Sequence, residues 1–288
     1  MIAWDADLIT AIAKRRCVIV IGSGVSKNSI NKDNRRPKSW LEFLEHFCAM
    51  QGNPKIVQDL IAQRDFLTAC QLIKKSMGEE AFNKAVKDEF VTPGYAAADI
   101  HKHIYNLDSS IVVSPNFDVI YETYATSTSQ GTITVRNHFD PDIAEYISGG
   151  EARLILKSHG SASNPQNLIF TRNDYAAART KYQLFYEILK SLALTHKFIF
   201  FGCGVDDPDI RMLFEDIQFA HGRIPFHYMS LPHGEVDPQI MEVASETMRL
   251  RFLNYSPDQG HKELTDSLNE LVQLVEDKRA ELAASRTW

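Results

Sequence analysis

The chain has 288 residues, 44% of them hydrophobic and 24% charged, with a formal net charge of −6, which is enough to bury a full core in one or two domains without a disulfide or metal staple. The acidic balance argues against broad charge-driven binding to nucleic acid, and no apolar run reaches the ~20 residues that span a bilayer, so neither nucleic acid nor membrane is expected as a direct partner. The N-terminus has no basic segment followed by an apolar one, and Cys17, Cys48, Cys70 and Cys203 form no Cys-x-x-Cys pair, so a reducing, cytoplasmic setting without a zinc module is expected.

Residues 7–16 read as a short helix, and Cys17-Val18-Ile19-Val20-Ile21 is a continuous β-branched run of the kind buried in parallel sheets. Gly22-Ser23-Gly24-Val25-Ser26 follows at once. Ser39-Trp40-Leu41-Glu42 has the form of a capping box, so a helix is predicted to start there. From that point to about Phe90 the spacing of Ile56, Leu60, Phe66, Cys70 and Ile73 is helical, with breaks at Gly52-Asn53-Pro54 and Met77-Gly78, and the stretch of about 39–108 reads as an inserted helical lobe.

Strand patterns resume at Ser110–Val113, Arg153–Leu156, Phe198–Phe201 and Phe226–Met229, with helical segments between several of them. Alternation of this kind predicts an α/β fold with a doubly wound, mostly parallel sheet. A single helix is expected over about Asp174–His196, as part of a lid. From His261 onward Leu264, Leu268, Leu271 and Val275 make an amphipathic stripe. The division is thus 1–260 for the main domain and 261–288 for a C-terminal helix packed on it or touching another copy.

Four of the strands end in clusters of small or polar residues, and a parallel sheet brings the carboxyl ends of its strands to one edge. Gly22, Ser23 and Gly24 permit a sharp turn with backbone N–H groups offered to a phosphate, and Ser26 offers one further donor; the alternative is a tight turn with no ligand. Asn116 and Asp118, in Ser114-Pro115-Asn116-Phe117-Asp118, either cap a helix or face a ribose hydroxyl, a water and a carboxamide. His159, flanked by Ser158 and Gly160, is placed exposed at a strand end, where an imidazole is useful as a base. Gly202-Cys203-Gly204 repeats the first logic. Asp206-Asp207-Pro208-Asp209 is read as a helix start and not as a metal site.

Together, Gly22-Ser23-Gly24-Val25-Ser26, Asn116-Phe117-Asp118, His159-Gly160 and Gly202-Cys203-Gly204 resemble, in order and rough spacing, the motifs of the sirtuin fold over about residues 10–255. The resemblance implies a Rossmann-like NAD-binding domain in which Asn116 and His159 are catalytic. It also implies that Gly22, Ser23, Gly24, Ser26, Asp118, Gly202 and Cys203 contact NAD. Where deacylating sirtuins carry a four-cysteine zinc ribbon, this chain has Asn167–Tyr175 and a helix, and Thr171-x-x-Asp174-Tyr175 looks like the zinc-free sirtuin-like branch of bacterial antiphage systems. That branch hydrolyses NAD to nicotinamide and ADP-ribose, so NAD is expected as substrate and no metal is needed. Other implied readings are a zinc-free NAD-dependent deacylase and a non-catalytic module for NAD or ADP-ribose. The resemblance further implies a homo-oligomer and a partner chain, a HerA-type hexameric ATPase or an Argonaute-type protein.

Overall fold

The computed structural model describes residues 1–149, 153–205, 208–221 and 224–287. Seven strands, β1 (Cys17–Ile21), β2 (Ile111–Ser114), β3 (Ile133–Asn137), β4 (Arg153–Lys157), β5 (Lys197–Phe201), β6 (His227–Pro232) and β7 (Leu250–Tyr255), form one sheet in the order β3-β4-β2-β1-β5-β6-β7. The pairings are parallel throughout. β1 is buried along its whole length, as expected for a β-branched run covered on both faces. The chain leaves β1 toward β2 and later returns to its other side at β5, so the crevice above β1 is the topological switch point where such sheets bind ligands.

The helices are α1 (Ala6–Ala13), the single turn α2 (Ser23–Ser26), α3 (Trp40–Met50), α4 (Lys55–Ala62), α5 (Phe66–Met77), α6 (Glu79–Phe90), α7 (Asp99–Asn106), α8 (Ile120–Thr128), α9 (Ile143–Gly149), α10 (Arg172–Lys181), α11 (Gln183–Thr195), α12 (Pro208–His221), α13 (Pro238–Met248) and α14 (Asp258–Ser285). One face of the sheet, with Cys17, Ile19 and Ile21 pointing to it, packs under α1, α7, α8 and α14. The other, with Val18 and Val20, packs under α9 to α13. The doubly wound, parallel α/β architecture is therefore the observed one.

α3, α5 and α6 build a core of their own around Phe43, Phe82 and Ile73, completed by Ala162, Leu168 and Phe170 from the sheet domain. The helical lobe is thus fused to the sheet by shared apolar residues, whereas α7, further along the same insertion, places Ile100 and Ile104 in the core beneath the sheet. The capping box at Ser39 and Glu42 forms as the sequence predicts.

The sequence missed β3 and β7. Both are edge strands that interleave Arg136 or Arg251 with apolar residues, so neither offers a continuous apolar run. The predicted helix over 174–196 is two helices, broken at Tyr182, which leaves helical geometry at φ −117° and ψ 40° while its ring packs 4.4 Å from that of His138. Without Gly or Pro there, the break is invisible in the sequence. In α14, Leu264, Leu268, Leu271 and Val275 are buried in the sheet's own core, and Ser267 accepts from Ile2 N–H at 3.0 Å and from the Trp4 indole at 3.1 Å. Among the described residues no helix is long and apolar enough to cross a membrane.

Candidate active site

The two glycine turns meet edge to edge. Gly22 N–H donates to Phe201 O at 2.8 Å and Gly24 N–H to Gly202 O at 3.0 Å. A Cβ on Gly22 would lie 2.3 Å from Gly202 O, and one on Gly202, at φ +63°, 2.5 Å from Val25 N. Contact between the turns is sufficient reason for these glycines. It also engages the amides of Gly22 and Gly24 within the protein, and α2 is too short to add an appreciable dipole. Gly22, Ser23, Ser26, Gly202, Cys203 and Gly204 line a cleft that is open at its mouth, and Gly24 is not among its lining residues.

Ser26, Asn116 and Asp118 converge on one side of this cleft and are each largely buried. Ser26 Oγ donates to Asp118 Oδ2 at 2.7 Å, and Asn116 Nδ2 donates to Ser26 Oγ at 3.0 Å. A hydroxyl has a single proton and an ionised carboxylate only accepts, so the direction of this chain is fixed. The proton of Ser26 is held by Asp118, and the serine can therefore only accept from the asparagine amide. The network thereby turns the amide NH₂ of Asn116 toward Ser26, leaving its Oδ1 as the free acceptor of the pair. Asp118 has a structural duty too, because its Oδ1 accepts from Ile120 N–H at 3.0 Å, at the start of α8. The N-cap position of α8 is Val119, so neither Asn116 nor Asp118 is the cap itself; Asp118, one residue earlier, supports the first turn while lining the cleft.

His159 lies two residues past the end of β4 and lines the same cleft, at 4% exposure. The expectation of an exposed imidazole is corrected here. The chain folds back over it, with Ile169 N–H donating to His159 O at 3.0 Å, and Tyr175 of α10 covers the ring edge-on at 5.2 Å. The Tyr175 hydroxyl stands 3.4 and 3.5 Å from the two ring nitrogens. Thr171 and Asp174 form the capping box that starts α10, which gives the Thr171-x-x-Asp174-Tyr175 pattern a physical meaning: it orients Tyr175 onto His159. Trp40, Phe90, Phe117 and Phe170 also line the cleft, with the Phe117 and Phe170 rings at 4.3 Å and Phe117 at 6.5 Å from the His159 ring.

Further residues were missed in the sequence. Lys157, 1% exposed at the end of β4, donates to the backbone carbonyl of Asp118 at 2.7 Å and pairs with Glu122 at 2.7 Å. Burial pushes the Glu122 carboxyl up, against the pull of Lys157. Lys38, on the cleft, pairs with the buried Glu89 of the lobe, which also accepts from the Tyr95 hydroxyl at 3.3 Å. Behind Asp118, burial depresses the imidazole of His101 to about 4 despite the nearby carboxylate. Its Nδ1 accepts from Ala98 N–H at 3.2 Å, so the neutral ring carries its proton on Nε2. An inward-facing lysine at a strand position otherwise apolar was the legible signal.

Asp206 and Asp207 of the acidic run lie outside the described residues, and among the described residues no group of three or more His, Cys, Asp or Glu side chains is placed to hold a metal ion. Between Gly160 and β5 the chain holds a 3₁₀ turn at Pro165–Asn167 and then α10 and α11.

A family model described as the SIR2-like domain matches residues 110–253. The chain is 25% identical over 201 residues, 69% of its length, to a Bacillus subtilis protein named Defense-associated sirtuin 2, covering 19% of that protein. It is 24% identical over 213 residues, 73% of its length, to an Enterococcus faecium protein named NAD(+) hydrolase ThsA, covering 41% of it. The chain thus spans well under half the length of either relative.

Proposed function

Because the chain belongs to the SIR2-like domain family, we propose that its cleft binds NAD and hydrolyses the bond between nicotinamide and ribose, giving nicotinamide, ADP-ribose and a proton. The observation that carries this reading is the convergence of Asn116, Ser26, Asp118 and His159 on one cleft at the carboxyl edge of the sheet. The lining of the cleft suits the substrate in its chemistry. One amide, one hydroxyl and one carboxylate share its lining with four aromatic rings, a mixture that suits a ligand with sugar hydroxyls and flat rings.

Nicotinamide leaves NAD with the bonding electron pair and becomes neutral, so the reaction needs little help at the leaving group. It needs an orienting pocket, tolerance of positive charge at the ribose carbon, and a water placed on that carbon. In the proposed mechanism Asn116 Oδ1, freed by the Ser26 hydrogen bond, accepts from that water or from a ribose hydroxyl. The negative charge of Asp118, close beneath, favours the developing oxocarbenium ion. His159 takes the proton released when the water oxygen bonds to carbon, directly or through a ribose hydroxyl. Tyr175 limits the ring's rotation.

The names of the two relatives, one a defence-associated sirtuin and one an NAD(+) hydrolase, support extending the reading to an antiphage effector that depletes NAD. Control by further copies or by a partner chain is part of the same proposal and rests on the sirtuin-like resemblance alone. The test is chromatography of NAD, nicotinamide and ADP-ribose after incubation with the protein, alone and with candidate partners. Asn116→Ala and His159→Ala are expected to reduce product release by roughly 10²- to 10⁴-fold. Full turnover in both variants refutes the mechanism, and bound but intact NAD under every condition supports a binding module instead.

A further inference from the structure

Two short segments carry the groups assigned to the reaction: the turn after β2, with Asn116 and Asp118, and the turn after β4, with His159. Their strands are neighbours, with Ser114 opposite Lys157. Past the strand ends the ladder gives out, and what fixes one turn against the other is a handful of contacts. Ser158 N–H donates to Ser114 O at 3.1 Å and Ala162 N–H to Phe117 O at 2.8 Å. A further tie is made by a side chain: Lys157 Nζ donates to Asp118 O at 2.7 Å.

That ammonium is in an unusual place. The strand's alternation puts Lys157 on the same face as Ile155, which packs in the core under α8, and the side chain is 1% exposed. A buried cation persists only where it is paired and hydrogen-bonded. Here the pairing partner is Glu122 of α8 at 2.7 Å, one turn past Asp118. The lysine therefore grips the β2–α8 connection at two points, a carbonyl before the helix and a carboxylate inside it, from a strand end that is two residues from His159. An apolar residue of similar volume would satisfy the packing without the desolvation cost, so burial alone does not account for the charge.

We propose that Lys157, braced by Glu122, is a positioning residue: its buried ammonium sets the distance and orientation between the Asn116 and Asp118 turn and His159. Lys157 does not line the cleft and acts through Asp118 and α8. The proposal rests on the NAD-cleaving reading for its kinetic consequence but not for its structural one, and the test separates the two.

Lys157→Met leaves Glu122 buried without its partner and is expected to unfold easily, so the decisive variant is the double substitution Lys157→Met with Glu122→Leu, which removes both charges and keeps the volume. The double variant is expected to match the native protein in thermal unfolding. Its kcat for NAD falls by roughly tenfold to a hundredfold, the range associated with reacting groups displaced by about an ångström, while KM stays within a few fold. Lys157→Arg, which keeps the charge and a donor, recovers part of the kcat. Hydrogen exchange followed in peptides covering 115–122 rises in the double variant and not elsewhere, with no NAD present. A stable double variant with native kcat and native exchange in 115–122 overturns the proposal and leaves the pair as a fold element only. If the native protein cleaves no NAD under any condition, the function proposed above fails, and the exchange measurement alone decides the clamp.

Discussion

Replacing Gly202 by alanine tests why the glycine turns are glycine. An alanine Cβ there would stand 2.5 Å from Val25 N and 2.8 Å from Gly24 C, both backbone atoms that cannot swing aside. The residue also has φ +63°, and a left-handed conformation costs a non-glycine residue about 1–2 kcal/mol. Gly234 is the matched control: its φ is +77° and a Cβ there meets nothing within 4 Å. Gly234→Ala should therefore lose about 1–2 kcal/mol, whereas Gly202→Ala carries an additional overpacking cost of about 1–3 kcal/mol. Both changes restrict the unfolded chain alike, so that effect cancels in the comparison. The measurement is denaturant unfolding of ligand-free protein, comparing midpoints at constant slope. Equal losses in the two variants would refute the turn-to-turn account and make close approach of a ligand the reason for glycine at 202.

Ser26→Ala removes the acceptor that orients Asn116 and a donor to Asp118; we expect a stability loss of about 1–3 kcal/mol and a lower kcat with NAD affinity nearly unchanged. Calorimetry showing weakened binding at native kcat would instead make Ser26 a direct substrate contact. For pH, His101 is depressed from 6.5 to about 4 by burial, so below pH 6.5 the unfolded chain binds a proton that the folded one refuses. Stability is complete above that value and declines as pH falls toward 4, by at most about 3 kcal/mol from this group. Burial together with Lys197 and Arg249 likewise depresses His227, to about 3, and deepens the same slope. His101→Asn, whose Oδ1 can replace Nδ1 as the acceptor, should flatten the dependence of the urea midpoint between pH 6.5 and 4, and an unchanged slope would remove His101 from the account.

Much of the fold was legible because central strands such as Val18-Ile19-Val20-Ile21 are uninterrupted apolar runs and because Ser39 and Glu42 announce their helix. The edge strands were not, since their charged positions erase the signal. Much of the cleft's lining was legible, where strand ends carry small and polar residues together. What could not be read was pairing across the sheet. Nothing local says that the proton of Ser26 belongs to Asp118, that Tyr175 faces His159, or that Lys157 points inward to Glu122. These depend on which strands become neighbours, and the sequence order of strands is not their order in space.

The placement of β1 between β2 and β5 also governs how the protein is made. Cys17 to Ile21 lie opposite Lys197 to Phe201, so at ~5–20 residues per second of synthesis this uninterrupted apolar segment waits on the order of ten to forty seconds for its second partner. β2 covers its other edge earlier. The cleft needs both glycine turns, and a nascent chain that has not yet delivered Gly202 has no floor beneath Ser23 and Ser26. The proposed cleavage of NAD would thus be withheld, by topology, until the growing chain has delivered Gly202.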